Sequence, residues 1–204
     1  MKILILTIIA YFIGNFSSAY LISTKFAHED VRTQGSGNAG TTNMFRMYGY
    51  KLGIATLVLD VLKGYIAVMF ARIFGGQVAG YFAAIGVVCG HNWPVLLGFK
   101  GGKGVATSLG VIFTISWQSG FIVLGIALII IIATRRVALA SLAGFVFYPF
   151  VVMALYPDNM PLKLCVLVLA ALGIYSHRTN IKRLLAGTEV GLSFKPGGEK
   201  RNLK

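Results

Sequence analysis

Between Phe99 and Thr107 the chain reads Phe-Lys-Gly-Gly-Lys-Gly-Val-Ala-Thr. Gly101, Gly102 and Gly104 free the backbone to take positive φ and to come close to a ligand. Lys100 and Lys103 supply ammonium donors. Backbone N–H groups beside a lysine make an anion cradle, and phosphate is the expected guest. A second stretch, Gly35-Ser36-Gly37-Asn38-Ala39-Gly40-Thr41-Thr42-Asn43-Met44-Phe45-Arg46, gathers glycines, hydroxyls and amides. It closes on an arginine able to grip phosphate bidentately. A third runs from Ser176 through His177, Arg178, Thr179 and Asn180 to Leu185, then Gly187-Thr188-Glu189. His177 and Asn180 are three apart, so on a helical turn they share a face.

Two familiar phosphate motifs do not fit. Gly35 to Gly40 matches G-x-G-x-x-G, but apolar helical patterns flank it where a dinucleotide site needs a preceding strand. Gly98 and Gly102 stand one residue too close for a Walker loop, and Gly104 follows Lys103 where Ser or Thr belongs. Each stretch also has a plainer reading. The first is a polar turn, and His91, in Gly90-His91-Asn92-Trp93-Pro94, is a core histidine. The third is a basic amphipathic helix on the membrane surface, with Ile181, Leu184 and Leu185 toward lipid and Lys182 and Arg183 toward water.

The elements that position these stretches are apolar. Hydrophobic residues make up 56% of the chain, charged residues 12%, and the mean hydropathy is +0.77. That composition predicts an integral membrane protein. Apolar segments cover about 3–23, 52–74, 77–97, 104–116, 119–134, 138–156 and 162–177. They are continuous rather than alternating, so the expected fold is an all-α, polytopic membrane bundle of about seven transmembrane helices. Merging the fourth and fifth segments would give six, but Trp117-Gln118-Ser119-Gly120 reads as a break. Ser17-Ser18-Ala19 only loosely resembles a cleavage site, so an uncleaved N-terminus is expected.

The net charge of +13 would suggest nucleic acid in a soluble protein. Here the cations lie between apolar segments, so membrane lipid is the expected partner, with no nucleic acid. With the N-terminus outside, 15 of the 19 Lys and Arg fall in inner loops and tail. Only Lys2, Lys63, Arg72 and Lys163 do not. The expected organisation is one domain over 1–204, with cytoplasmic loops 24–51, 98–103 and 135–137 and a tail 178–204. Asp60 and Lys63 share a face within a span and read as a structural ion pair or as support for the loops. Gly76-x-x-x-Gly80 and Gly86-x-x-x-Gly90 read as helix-packing motifs. Cys89 and Cys165 sit in apolar runs, and the loop carboxylates Glu29, Asp30 and Glu189 are too scattered for a metal cage; no metal and no cofactor are expected.

The three stretches, in this order and over nearly the whole chain, resemble the bacterial acyl-phosphate:glycerol-3-phosphate acyltransferases, the PlsY family. The resemblance rests on Gly-Ser-Gly-Asn-x-Gly-x-Thr-Asn-x-x-Arg, on Gly-His-x-x-Pro with Phe-x-Gly-Gly-Lys-Gly-Val-Ala-Thr, and on His-Arg-x-Asn-Ile-x-Arg-Leu with Gly-x-Glu. It implies a multi-pass enzyme of the bacterial cytoplasmic membrane with its site facing the cytoplasm. The implied reaction moves a fatty acyl group from acyl phosphate to the 1-hydroxyl of sn-glycerol 3-phosphate. Lysophosphatidic acid and phosphate result, in phospholipid biosynthesis.

The residues suit that chemistry. Two phosphorylated substrates need two anion sites. Acyl phosphate is already activated, so no covalent nucleophile is required. The expected catalytic residues are Ser36, Lys103, His177 and Asn180. Substrate binding is expected from Arg46, Gly35, Gly37, Asn38, Gly40, Thr42, Asn43, His91, Gly101, Gly102 and Gly104. Within that set, Ser36, Arg46, Lys103, His177 and Asn180 hold glycerol 3-phosphate. Backbone N–H groups near Gly37, Gly40, Gly101 and Gly102 hold acyl phosphate. Either His177 or a substrate phosphate oxygen takes the proton. The competing readings are a transporter of a phosphorylated small molecule and a scaffold binding anionic headgroups.

Overall fold

The computed structural model describes residues 1–191, and within them every regular element is helical. Lys195, Lys200, Arg201 and Lys204, counted above as inner cations, lie outside the described residues, as does the end of the expected tail. Helix α1 spans Lys2–Asn15, breaks at Phe16, and continues as the short α2, Ser18–Ile22, and a π-helical turn, Ser23–Ala27. Helix α3 covers Thr41–Asn92, α4 Val105–Ile115, α5 Trp117–Thr134, α6 Val137–Leu155, α7 Met160–Ser176 and α8 Arg178–Leu185.

Helix α3 is not one rod. Gly49 and Gly76 both have positive φ and interrupt its helical geometry. In a straight helix Val68 and Gly80 would lie about 18 Å apart. Instead a Cβ placed on Gly80 would sit 3.6 Å from Val68 Cγ1. The chain therefore folds back at Gly76, and residues 50–75 and 77–92 form a hairpin. Gly76 thus serves the turn rather than helix packing. Gly86 and Gly90 do serve packing: their missing side chains let α3 close on the Thr7 and Tyr11 carbonyls of α1. Residues 41–48, expected as loop, are helical, because Gly40 is extended and Gly49 ends the segment.

Among the described residues, four helical stretches are long and apolar enough to cross a membrane, one of them Thr41–Leu97, which the turn at Gly76 folds into two arms; a fifth is added if α7 and α8, bent by 58°, count as one. Helix α4 has 11 residues and is about 16 Å long, half of a bilayer's apolar core. The break before α5 falls at Ser116, whose backbone leaves the helical region, just before the expected position. The side chains facing away from the bundle are large and apolar, as lipid contact requires: Ile73, Ile129 and Ile132 are each at least 68% exposed. The core lies between α1, the α3 hairpin, α4 and α7, around Val68, Val87, Val111 and Val166.

Asp60 and Lys63 pair at 2.6 Å inside this core. Ser18 Oγ donates to Asp60 at 2.9 Å. The Lys63 ammonium donates to the Phe16 carbonyl at 2.8 Å and to His91 Nδ1 at 2.7 Å. The break after α1 thus has a purpose: the carbonyl it frees accepts from Lys63. Both sequence readings of this pair meet in one network, which locks three helices and sets the ring of His91.

Candidate active site

A cavity of about 410 Å³ opens at the end of the bundle where all three polar stretches meet. The first stretch is held there by its own side chains. Asn43 accepts from the Ser36 N–H at 3.0 Å and donates to the Val31 and Gln34 carbonyls. Arg32 pairs with Asp30, donates to the Leu97 carbonyl at 2.9 Å and stacks over Tyr20. That arginine ties the first stretch to the second.

In the Phe99–Thr107 loop, only Gly104 of the three glycines uses positive φ. Gly101 and Gly102 are needed for lack of bulk. A Cβ on Gly102 would collide with His91 Nε2 and the Ala39 carbonyl, and one on Gly101 with the His91 carbonyl. The loop is thereby pressed onto His91. Lys63 donates to Nδ1 of that ring, so the proton is on Nε2, toward Gly102.

Ser36, Asn38, Gly40, Thr42, Asn43, Arg46, His91, Lys103, Gly104, His177 and Asn180 all line the main cavity. Gly35 and Gly37 do not; both have positive φ and shape the turn behind it. Gly101 and Gly102, with Lys100, line a smaller cavity of about 200 Å³ that shares Asn38 and Lys103 with the first. Three of the four expected backbone donors are already paired. The N–H groups of Gly37, Gly40 and Gly102 already donate to Gln34, Asn38 and His91 carbonyls. The open donors are at two helix N-termini, α3 at Thr41 and α4 at Val105, where no side chain caps the first turn. Thr41, Thr42, Val105 and Ala106 line the one cavity, so two helix N-termini of the kind that suits an anion converge on it. Asn43 likewise spends its amide bracing the loop.

The third stretch supplies a polar relay. Lys103 donates to Asn180 Oδ1. Asn180 Nδ2 donates to Glu189 at 2.8 Å, and Arg183 Nε donates to the other oxygen of Glu189 at 2.8 Å. Burial pushes the Lys103 ammonium down to about 8, Arg183 and Arg46 push the same way, and Glu189 opposes them. His177 lies past the end of α7, where burial pushes its ring down to about 4. Its Nδ1–H donates to the Gly173 carbonyl at 2.8 Å, so the neutral ring keeps Nε2 as an acceptor. Arg46 has no hydrogen-bond partner among the described residues and faces the cavity. Arg183, which the amphipathic-helix reading turns to water, pairs with Glu189, which the sequence places in the third stretch without a role. The Gly-x-Glu after α8 was the signal: Gly187, at positive φ, turns the chain so that Glu189 reaches back.

Beyond the polar end the cavity is apolar, running between α4, α5 and α6. The described residues hold no group of three or more His, Cys, Asp or Glu arranged for a metal.

This fold and cavity define a class: a multi-pass membrane protein with an anion-binding mouth at one end of an apolar slot. Comparisons with known proteins narrow the class. The family model for glycerol-3-phosphate acyltransferase matches residues 4–187. A glycerol-3-phosphate acyltransferase of Thermoanaerobacter sp. (strain X514) is 47% identical over 189 residues, covering 92% of this chain and 94% of that protein. One from Clostridioides difficile (strain 630) is 44% identical over 193 residues, covering 91% and 93%. The crystal structure of PlsY (YgiH), an integral membrane glycerol 3-phosphate acyltransferase, in its glycerol 3-phosphate form, superposes with a TM-score of 0.89. It is 36% identical and covers 95% of this chain and 96% of that one. Its lysophosphatidic acid form gives 0.86 at 35% identity, covering 95% and 97%. The chain belongs to the glycerol-3-phosphate acyltransferase family.

Proposed function

We propose that this protein transfers a fatty acyl group from acyl phosphate to the 1-hydroxyl of glycerol 3-phosphate, releasing lysophosphatidic acid and phosphate. One observation carries the reading: two uncapped helix N-termini and the cations Arg46 and Lys103 share a cavity with an apolar slot. Two phosphates fit the mouth and an acyl chain fits the slot. Family membership and the ligands named for the related crystal structures agree with it.

In this reading Ser36, Arg46, Lys103, His177 and Asn180 hold glycerol 3-phosphate. The first turns of α3 and α4, with Asn38 and Thr42, hold the acyl phosphate. The glycerol oxygen attacks the acyl carbonyl carbon, the carbon–oxygen bond to phosphate breaks, and phosphate leaves. The hydroxyl proton goes to a phosphate oxygen, with His177 Nε2 as the alternative acceptor. Lys103 and the α4 amides stabilise the oxyanion that develops on the carbonyl. Positioning two reactants and stabilising one charge is sufficient catalysis for an activated donor. The site faces the cytoplasm of a bacterial inner membrane, with the N-terminus outside and α4 counted as a half-span among seven. The basic residues of the polar end support that orientation. The chain acts as one domain.

Purified protein in detergent is the test. Phosphate release from palmitoyl phosphate should require glycerol 3-phosphate and match lysophosphatidic acid mole for mole. Release that ignores glycerol 3-phosphate would overturn the reading. For His177→Ala, a raised KM with kcat kept would assign the proton to the substrate phosphate. A collapse of kcat at saturating substrate would assign it to the ring.

A further inference from the structure

His91 lines the cavity with a charged pair at its back. The Lys63 ammonium has three N–H groups, and each has an acceptor: Asp60 Oδ1 at 2.6 Å, the Phe16 carbonyl at 2.8 Å and His91 Nδ1 at 2.7 Å. An ammonium has no lone pair, so Nδ1 accepts and the neutral ring keeps its proton on Nε2. Asp60 stands 3.7 Å from Nδ1, too far for a competing hydrogen bond. Asp60, Lys63 and His91 are each no more than 6% exposed. The front of the ring differs from its back. Nε2 has no hydrogen-bond partner among the described residues and is open to the cavity. It lies beside Gly102 and the Ala39 carbonyl, both of which a Cβ on Gly102 would crowd. Ala39 precedes Gly40, the cap of α3, and Gly102 is two residues before Gly104, the cap of α4. The free N–H thus sits between the starts of the two helices. The Gly102 N–H donates to the His91 carbonyl at 3.1 Å, which ties the loop to the same residue.

We infer that Lys63 is a positioning residue that presents His91 Nε2–H to the phosphate leaving the acyl donor, where His91 acts as a catalytic residue. The inference rests on the acyltransferase reading and adds two residues to it. When the carbon–oxygen bond to phosphate breaks, its electron pair stays on the phosphate oxygen. The N–H donates to that growing charge and keeps its own proton, as a neutral imidazole can. The cation on Nδ1 draws electron density from the ring and makes Nε2–H a stronger donor. Without Lys63 the ring is free to carry its proton on Nδ1, toward Asp60. It would then turn a lone pair on the leaving phosphate, which opposes the departure.

The test has two arms, both on the full-length protein in detergent. The first is spectroscopic and uses wild-type protein labelled with nitrogen-15 histidine, the His91 signals being those that vanish in His91→Phe. They should show a protonated Nε2 and a bare Nδ1. With glycerol 3-phosphate saturating, added inorganic phosphate, the product itself, should shift the Nε2–H signal. A proton on Nδ1, or an Nε2–H indifferent to phosphate, would overturn the proposal. The second arm is kinetic. His91→Phe should lower kcat about a hundredfold, the usual loss for one such donor, with KM for glycerol 3-phosphate little changed. His91→Gln, whose amide N–H reaches the place of Nε2, should recover about tenfold of that loss. The Asp60→Asn, Lys63→Met pair should show Nδ1 protonation and lose about tenfold or more in kcat, because a wrong tautomer is costly even where geometry holds. Phe and Gln variants equally impaired, or a double variant with wild-type kcat, would overturn the proposal. If the variants do not fold, the wild-type spectra decide alone. Wild-type protein inactive with every donor would refute the acyltransferase reading itself; active wild type with an unresponsive ring refutes only the role of Lys63 and His91.

Discussion

The ammonium of Lys103 should set the alkaline limit of activity. Burial pushes it down to about 8, with Arg183 and Arg46 adding repulsion against the attraction of Glu189. The charged form is therefore lost as pH rises through that value, well below the ordinary lysine range. With a value near 8, roughly nine in ten molecules carry the charge at about pH 7 and one in ten at about pH 9. If only the charged form works, kcat/KM for glycerol 3-phosphate falls about tenfold across that window. The parameter matters, because kcat/KM reports the free enzyme, before a bound dianion pulls the lysine back up. Substrate titration does not mask the effect, since a phosphate monoester's second ionisation is near 6. His177 does not mask it either, being neutral throughout. Lys103→Arg supplies the control: its charge is fixed, so the limb should vanish even if the absolute rate drops. A wild-type profile flat to about pH 9, or a Lys103→Arg variant with the same limb, would refute the reasoning.

Three further outcomes follow from the same geometry. Glu189→Gln removes the one neighbour that raises Lys103, so the alkaline limb should move to lower pH in the same assay. Gly102→Ala drives a methyl into His91 Nε2 and the Ala39 carbonyl; displacing the Lys103 loop by that much should lower kcat/KM about a hundredfold, measured by phosphate release. Lys63→Met leaves Asp60 buried and unpaired, which should cost about 3–5 kcal/mol, while the Asp60→Asn, Lys63→Met double variant recovers most of it; thermal unfolding in detergent reads both.

Much of this was legible beforehand. Composition alone demanded helices in lipid, and cations confined to loops pointed to one end for the three polar stretches. His177 and Asn180, three apart, do share the cavity, although a helix boundary falls between them. What escaped was whatever depends on where backbones touch. A run of glycines looks alike whether each supplies positive φ, as Gly104 does, or merely absence of bulk, as Gly102 does. A small-xxx-small motif does not say which glycine turns the chain, yet Gly76 turns it and Gly90 packs. The N–H groups of Gly37, Gly40 and Gly102 are taken by local carbonyls for the same reason, while N–H groups at two helix ends stay open. Glu189 stands in the third stretch, but its partners, Asn180 and Arg183, are not legible because they come into reach only through the turn at Gly187.

The central claim is that two phosphates lie side by side in one cavity, one among Arg46, Lys103, His177 and Asn180 and the other against the first turns of α3 and α4. The most direct measurement is a crystal structure of the protein soaked with glycerol 3-phosphate and inorganic phosphate together. Two phosphorus positions are expected in the one cavity, glycerol 3-phosphate among Arg46, Lys103, His177 and Asn180 and inorganic phosphate against the helix ends, with the glycerol 1-hydroxyl turned toward the mouth of the apolar slot. Glycerol 3-phosphate bound away from Arg46 and Lys103, or two anions in cavities too far apart to share an acyl group, would contradict it.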